Sequence, residues 1–247
     1  PVYHPEERIN WTLSASFKHQ KAKYEDIGNS LDQFNKENLN TSLVRYYDGG
    51  SPTALWAVRS LGINPSDGRE LFLTKEGTYT FEYDTEDEVV VGNSEPKLEG
   101  VLGSTLYWKG FSFSLYFRYS LGADVFTEAT YNKVENISLA GLKSNQDKRA
   151  LHDRWQKPGD HAKFKGISLT ETTPISSRFV LRENYIKAES ISVGYDFESQ
   201  AVQKLGIQSL RLQANTTDLF RISSIKEERG IEYPFARSFS FSLSAMF

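Results

Sequence analysis

Over the last ten residues of the chain, apolar and polar positions take strict turns. Phe239, Phe241, Leu243, Ala245 and Phe247 fall on one side, and Ser238, Ser240, Ser242 and Ser244 on the other. Successive side chains of a strand point to opposite faces of its sheet, so this period predicts a strand with one apolar and one polar face. The pattern recurs upstream. Ile9, Trp11, Leu13, Ala15 and Phe17 alternate with polar residues, as do Phe113, Leu115, Phe117, Tyr119 and Leu121. Ile191, Val193, Tyr195 and Phe197 repeat it, followed by Leu210, Leu212 and Ala214. A further strand over Lys97–Trp108 leads into Lys109-Gly110, where glycine supplies the left-handed backbone of a tight hairpin turn.

The connections between these strands alternate in length. Short links stand at Lys109–Gly110 and around Ser199–Gly206; long ones cover residues 20–96 and 126–177. Transmembrane barrels have short periplasmic turns and long extracellular loops. With Phe247 on the periplasmic side, every short link falls there and every long one outside. The expected class is all-β: about six membrane strands of an antiparallel barrel, with extracellular loops at 20–96 and 126–177. The first loop carries a hairpin, Ala54–Leu61 and Glu70–Leu73 flanking the turn Asn64-Pro65-Ser66-Asp67-Gly68. About eight strands are the fewest that close a single-chain barrel, and unpaired edges are costly in lipid. The remaining strands are therefore expected from elsewhere, with the edge at Phe247 as the place where another polypeptide pairs. The bland alternative is a soluble β-sandwich, carbohydrate-binding or hydrolytic, with the apolar faces as its core.

Composition fits strands that are apolar on one side only. Hydrophobic residues make up 38% and aromatics 13%, the former below the roughly 45–50% of globular chains. No apolar run approaches the roughly 18 residues of a membrane helix. With no cysteine, disulfides and thiolate metal sites are excluded, and a net charge of −3 gives no reason to expect nucleic acid as a partner. Pro1 opens the chain without an initiator Met or a signal peptide, so processing or an internal break is expected to have produced this start. His4, His19, His152 and His161 lack metal-ligand spacing, and the acidic run Asp84, Glu86, Asp87 and Glu88 lacks the calcium-loop pattern and reads as a solvated loop. Neither a nucleophile elbow nor a phosphate loop is present, so no catalytic residue, metal or cofactor is expected. Asn10, Asn40, Asn136 and Asn215 stand in glycosylation-type triplets, two of them on expected strands.

Four segments carry a resemblance to a known family. Ser51–Glu70 (SPTALWAVRSLGINPSDGRE), Arg154–Asp160 (RWQKPGD), Tyr185–Tyr195 (YIKAESISVGY) and Tyr233–Phe239 (YPFARSF) are similar, in the same order, to segments of the SusC/RagA-type TonB-dependent transporters. The resemblance implies a roughly 22-stranded outer-membrane barrel with an N-terminal plug and a SusD-like lipoprotein lid. Such transporters import oligosaccharides or peptides with energy that TonB delivers through the plug. The four segments span most of the chain, and the resemblance implies that 1–247 is the C-terminal part of such a barrel, with the plug and N-terminal strands absent from it. Thr216-Thr217-Asp218-Leu219-Phe220 departs from the family, where Asn is expected before Leu-Phe. A siderophore- or cobalamin-type TonB-dependent receptor is the related alternative.

Candidate site residues follow from these placements. Trp56 and Trp155 lie in the expected outside loops, as contacts for substrate or lid or as packing inside the loops. Arg118 on the polar face lines the pathway or closes a salt bridge. Phe247, with Phe241 and Phe239, resembles the terminal aromatic signal read by the machinery that assembles outer-membrane barrels.

Overall fold

Six alternating segments pair side by side. The computed structural model describes residues 9–28, 30–168, 170–197, 204, 206–226 and 237–247. His4, most of the Ser199–Gly206 link, and Tyr233–Ala236 lie outside the described residues. The strands are β1 (Asn10–Ala15), β2 (Ala54–Ile63), β3 (Glu70–Leu73), β4 (Tyr79–Thr80), β5 (Glu88–Asn93) and β6 (Leu98–Trp108). They continue as β7 (Phe111–Phe126), β8 (Val180–Phe197), β9 (Ser209–Thr217), β10 (Arg221–Ser223) and β11 (Ser238–Met246). Two compact units result. One draws on residues up to His19, Lys97–Gly122 and from Glu183 on; the other on Gln20–Pro96 and Ala123–Arg182.

The first unit is a sheet in the order β1-β6-β7-β8-β9-β11, with β10 added to β8. The pairs whose registers follow are all antiparallel. Register decides the faces, because directly opposed residues lie on the same side. Trp11, Leu106 and Phe113 form one apolar row, and Ala15, Leu102 and Phe117 another. Across β8, β9 and β11, Tyr195, Leu212 and Leu243 form a third. The rings of Phe111 and Tyr195, 4.5 Å apart, join these rows into one apolar face. That face is bare: Trp11 is 64% exposed, Phe241 77% and Leu243 68%. A sandwich would bury it.

Register also fixes the two ends of the sheet. At the Trp108↔Phe111 pair the chain reverses through Lys109 (φ 48°) and Gly110 (φ 81°), the two left-handed positions of the commonest two-residue hairpin turn. β8 ends, β9 starts and β11 ends at this level, since Phe197 faces Leu210 and Ser209 faces Met246. Both long connections depart from the opposite end. A third connection departs there too, between β9 and β11, and carries β10; the alternation did not reveal it. β8 starts before the alternating stretch: its first half, Val180–Lys187, carries charge on both faces, Arg182 on one and Glu183 and Lys187 on the other, and pairs with β10. Glu183 meets Arg221 at 2.7 Å and Lys187 meets Asp218 at 3.2 Å. Asp218 takes φ 49°, the left-handed conformation that Asn tolerates best and Asp next, which accounts for an acid where the family resemblance leads to Asn.

The second unit is the folded form of the two long connections. Its sheet runs β4-β3-β2-β5, and the expected hairpin is present as β2 and β3 around the turn at Asn64–Gly68. Ala54, Ala57 and Val58 of β2 are buried. A second cluster gathers Val134, Ala150, Phe164 and Phe179, with Phe126 and Tyr131 packed against it. Three of these rings, Phe126, Tyr131 and Phe179, meet pairwise at 5.0–6.4 Å, the spacing of tilted and edge-to-face aromatic packing.

Candidate functional site

On the polar face of the sheet, serines, threonines and amides stand among spaced charges. Arg118 of β7 reaches Glu189 of β8 through Nη2 at 2.6 Å and Nε at 3.1 Å, both side chains remaining partly exposed. Arg211 of β9 joins the Asp196 carboxylate at 3.3 Å and donates to the Ser112 hydroxyl at 3.3 Å. Gln213 donates to Ser192 and to Asn215, both at 2.8 Å. The face is thus polar and wettable, and it holds its charges in pairs. Arg118 is in the paired state. Chemically such a wall is equipped for hydrogen bonds and ionic contacts.

The loop unit holds its charges inside. Arg178 spans two carboxylates, Glu70 at 2.8 Å and Glu135 at 3.0 Å, whose side chains are 2% and 0% exposed. Ser176 donates to Glu70 at 2.6 Å, and Thr173 to Glu135 at 2.9 Å. Charges removed from water persist only when paired and hydrogen-bonded, and each of these carboxylates has both. Arg154 is satisfied differently: its guanidinium donates to the main-chain carbonyls of Ala150, Lys165, Val134 and Glu135. Burial pulls it below the ordinary guanidinium value, and the nearby Glu135 opposes that shift. Tyr83 donates its phenol to the Ile175 carbonyl at 3.2 Å, and burial, with Glu88 adding to it, raises its pKa well above the ordinary phenol range.

The acidic run needs correction at one residue. Asp84 caps a short 3-10 turn by accepting from the Glu86 amide at 2.8 Å, and Asp87 accepts from the Lys75 amide at 2.9 Å. Glu88, expected in a solvated loop, is buried and grips Arg45 through two bonds of 2.8 and 3.0 Å. Among the described residues no group of His, Asp and Glu converges to hold a metal ion. Two of the glycosylation-type asparagines also have structural partners. Asn40 accepts from the Ile175 amide at 2.8 Å, and Asn136 from the Thr173 amide at 2.7 Å.

The candidate tryptophans both lie in the loop unit, each half-buried. Trp56 sits against Tyr47, ring centroids 5.4 Å apart. Trp155 lies over the Asn64–Gly68 turn: its indole N–H donates to the Pro65 carbonyl at 3.0 Å, and a Cβ at Gly68 would come within 2.5 Å of the ring. Arg118 belongs to the other unit. Phe239, Phe241 and Phe247 follow the apolar face to the end of the chain, and Phe247 is 80% exposed.

The buried charges were missed in the sequence although one signal existed. In β3, Glu70 stands two residues from Phe72 and therefore on the same, inward face; both are buried. An acid in phase with the apolar positions of a strand demands an inward cation.

No protein-family model matches the chain. It is 24% identical over 161 residues to TonB-dependent receptor P39 of Formosa agariphila, a match covering 64% of the chain and 15% of that protein. TonB-dependent receptor P3 of the same organism is 25% identical over 173 residues, covering 70% and 16%. Among solved structures, the RagAB peptide transporter superposes with a TM-score of 0.68 at 17% identity, over 88% of this chain and 24% of that one. The chain has the fold of the part of RagAB on which it superposes. The RagAB peptide importer in its open-open state covers 93% of it with a TM-score of 0.67, again at 17% identity. The chain spans about a sixth of the length of the curated relatives it matches. The proteins it resembles are named as receptors and transporters, not as enzymes.

Proposed function

We propose that this chain is part of the barrel of a TonB-dependent transporter in a bacterial outer membrane, one that imports oligosaccharides or peptides. The observation that carries the reading is the sheet with a bare apolar face, a hydrogen-bonding polar face, and every long connection at one end. The apolar face meets lipid and the polar face lines the lumen, with Arg118 and Arg211 on the solute's route. The loop unit faces outside, where Trp56 and Trp155 contribute to contacts with substrate or with a SusD-like lipoprotein lid. The other strands and the plug come from the rest of the transporter, and TonB acts through that plug. Phe247, Phe241 and Phe239 form the strand that the assembly machinery reads.

This chain contributes no cysteine of its own, so cysteines placed in it can be compared with the unsubstituted transporter in a topology test. Glu76→Cys in the β3–β4 turn and Lys109→Cys in the hairpin turn are labelled on intact cells with a membrane-impermeant maleimide. The proposal expects labelling of the first, and of the second only after the outer membrane is opened. The reverse order refutes it.

A further inference from the structure

Between Lys148 and Lys165 the loop unit concentrates positive charge. Six cations stand there against two carboxylates, in a chain of net charge −3. Two of the six are committed: Arg149 pairs with Asp147 at 2.7 Å, and Arg154 is buried under its carbonyls. Four lysines remain. Lys148, Lys157 and Lys163 are exposed and Lys165 is half-buried. Lys163 approaches Asp153 only to 3.8 Å, and the other three have no ion-pair partner among the described residues. Asp160 offers them little, because one of its oxygens accepts the Gln156 and Lys157 amides at 3.0 and 2.9 Å.

The backbone bearing these lysines is tied down. The Trp155 amide donates to Phe164, the Lys163 and Phe164 amides both donate to Asp153, and the Gly159 amide donates to Pro65, all within 2.8–3.1 Å. A ligand meeting this knot orders side chains only, so little of the association energy is lost to loop entropy.

We propose that the knot binds an anionic oligosaccharide, one carrying several sulfate or carboxylate groups. The inference rests on the transporter reading above and narrows its substrate class. Four ammonium groups on flexible stems act as movable point charges and match anions spaced along a chain, without the fixed fork geometry that arginine imposes. A peptide usually binds by adding main-chain hydrogen bonds to an open strand edge or by laying a helix in a groove. In the knot the amides of Trp155, Gln156, Lys157, Gly159, Lys163 and Phe164 are already bonded within the loop unit. Gln156, exposed beside the lysines, gives one amide hydrogen to the Leu151 carbonyl at 3.2 Å and keeps the second for a sugar hydroxyl.

The test is calorimetric titration of the complete transporter, purified in detergent, with a sulfated hexasaccharide, a neutral hexasaccharide and an oligoglutamate peptide. The Lys157→Gln/Lys163→Gln/Lys165→Gln variant is compared with wild type and with the corresponding triple Lys→Arg protein. Three charges at roughly threefold each predict about a 30-fold weaker sulfated ligand in the Gln variant, retention in the Arg variant, and a salt-dependent wild-type affinity. Equal affinity of wild type and Gln variant for the sulfated ligand overturns the proposal, and so does tighter binding of oligoglutamate. Binding in detergent does not depend on membrane orientation, so failure here is distinct from failure of the maleimide test of the transporter reading.

Discussion

Arg178→Met removes the one cation that two buried carboxylates share. The side chains of Glu70 and Glu135 are 2% and 0% exposed, and Arg178 itself is 12% exposed. Breaking one buried ion pair by deleting a partner costs about 3–5 kcal/mol, because the remaining charge is left uncompensated in a poor solvent. Here two carboxylates lose their partner, while Ser176 and Thr173 still donate to them. The Arg178 contact with the Phe179 ring, 4.5 Å from its centroid, and its bond to the Lys163 carbonyl are lost as well. A net cost of about 4–5 kcal/mol follows, equivalent to a rise of more than about a thousandfold in the open population of the loop unit. The strands of the sheet belong to the other unit and keep their ladder. Hydrogen exchange read by mass spectrometry on the purified transporter separates the two. Peptides from β2, β3 and Thr130–Glu135 should lose protection while β6, the Phe111–Gly122 part of β7, and β9 keep theirs. Glu70→Gln and Glu135→Gln added to Arg178→Met should recover most of the loss, since neutral amides replace stranded charges. Unchanged protection of β2 and β3 in Arg178→Met would refute the reasoning, as would loss of protection that the two added amides leave untouched.

Other consequences are equally direct. Gly68→Ala places a methyl group against Trp155 at a backbone φ of 73°, so the loop unit should lose about 1–3 kcal/mol, visible as a lower midpoint in Trp fluorescence. Tyr83 has its folded pKa raised by burial, so its contribution to loop stability is intact below the ordinary phenol value of about 10 and disappears as pH rises through the higher folded value. The loop-unit melting temperature should therefore fall in alkali, and Tyr83→Phe should flatten that fall. Lys18 and Glu99 form a partly exposed pair at 2.8 Å, and Lys18→Gln should change stability by less than about 1 kcal/mol. Serine at Phe241 and Leu243 together should sharply reduce the amount of barrel recovered from the outer membrane.

The sheet was legible because one apolar and one polar face write a period-two pattern, as in Phe239–Phe247, and because the left-handed Lys109-Gly110 turn is short. The first half of β8 was not, since Arg182, Glu183 and Lys187 put charge on both of its faces, and the strand β10 that pairs with it and supplies Arg221 to Glu183 lies far along the chain. The site was less legible than the fold. The Arg178 carboxylates come from positions 70 and 135, and no local spacing announces a contact across that distance. Glu88 read as one more acid in a solvated run because its partner, Arg45, lies 43 residues earlier. The packing of the tryptophans was not legible, because it depends on the Asn64–Gly68 turn and on Tyr47.

The central claim is that one face of the sheet meets lipid and the other water. Nitroxide labels placed singly from Phe239 to Ala245 of the membrane-embedded transporter measure it, with collision rates for oxygen and for a water-soluble nickel complex. The account predicts opposed two-residue periods, oxygen maxima at 239, 241, 243 and 245 and nickel maxima at 240, 242 and 244. Equal nickel access along the strand, or none at any position, would contradict it.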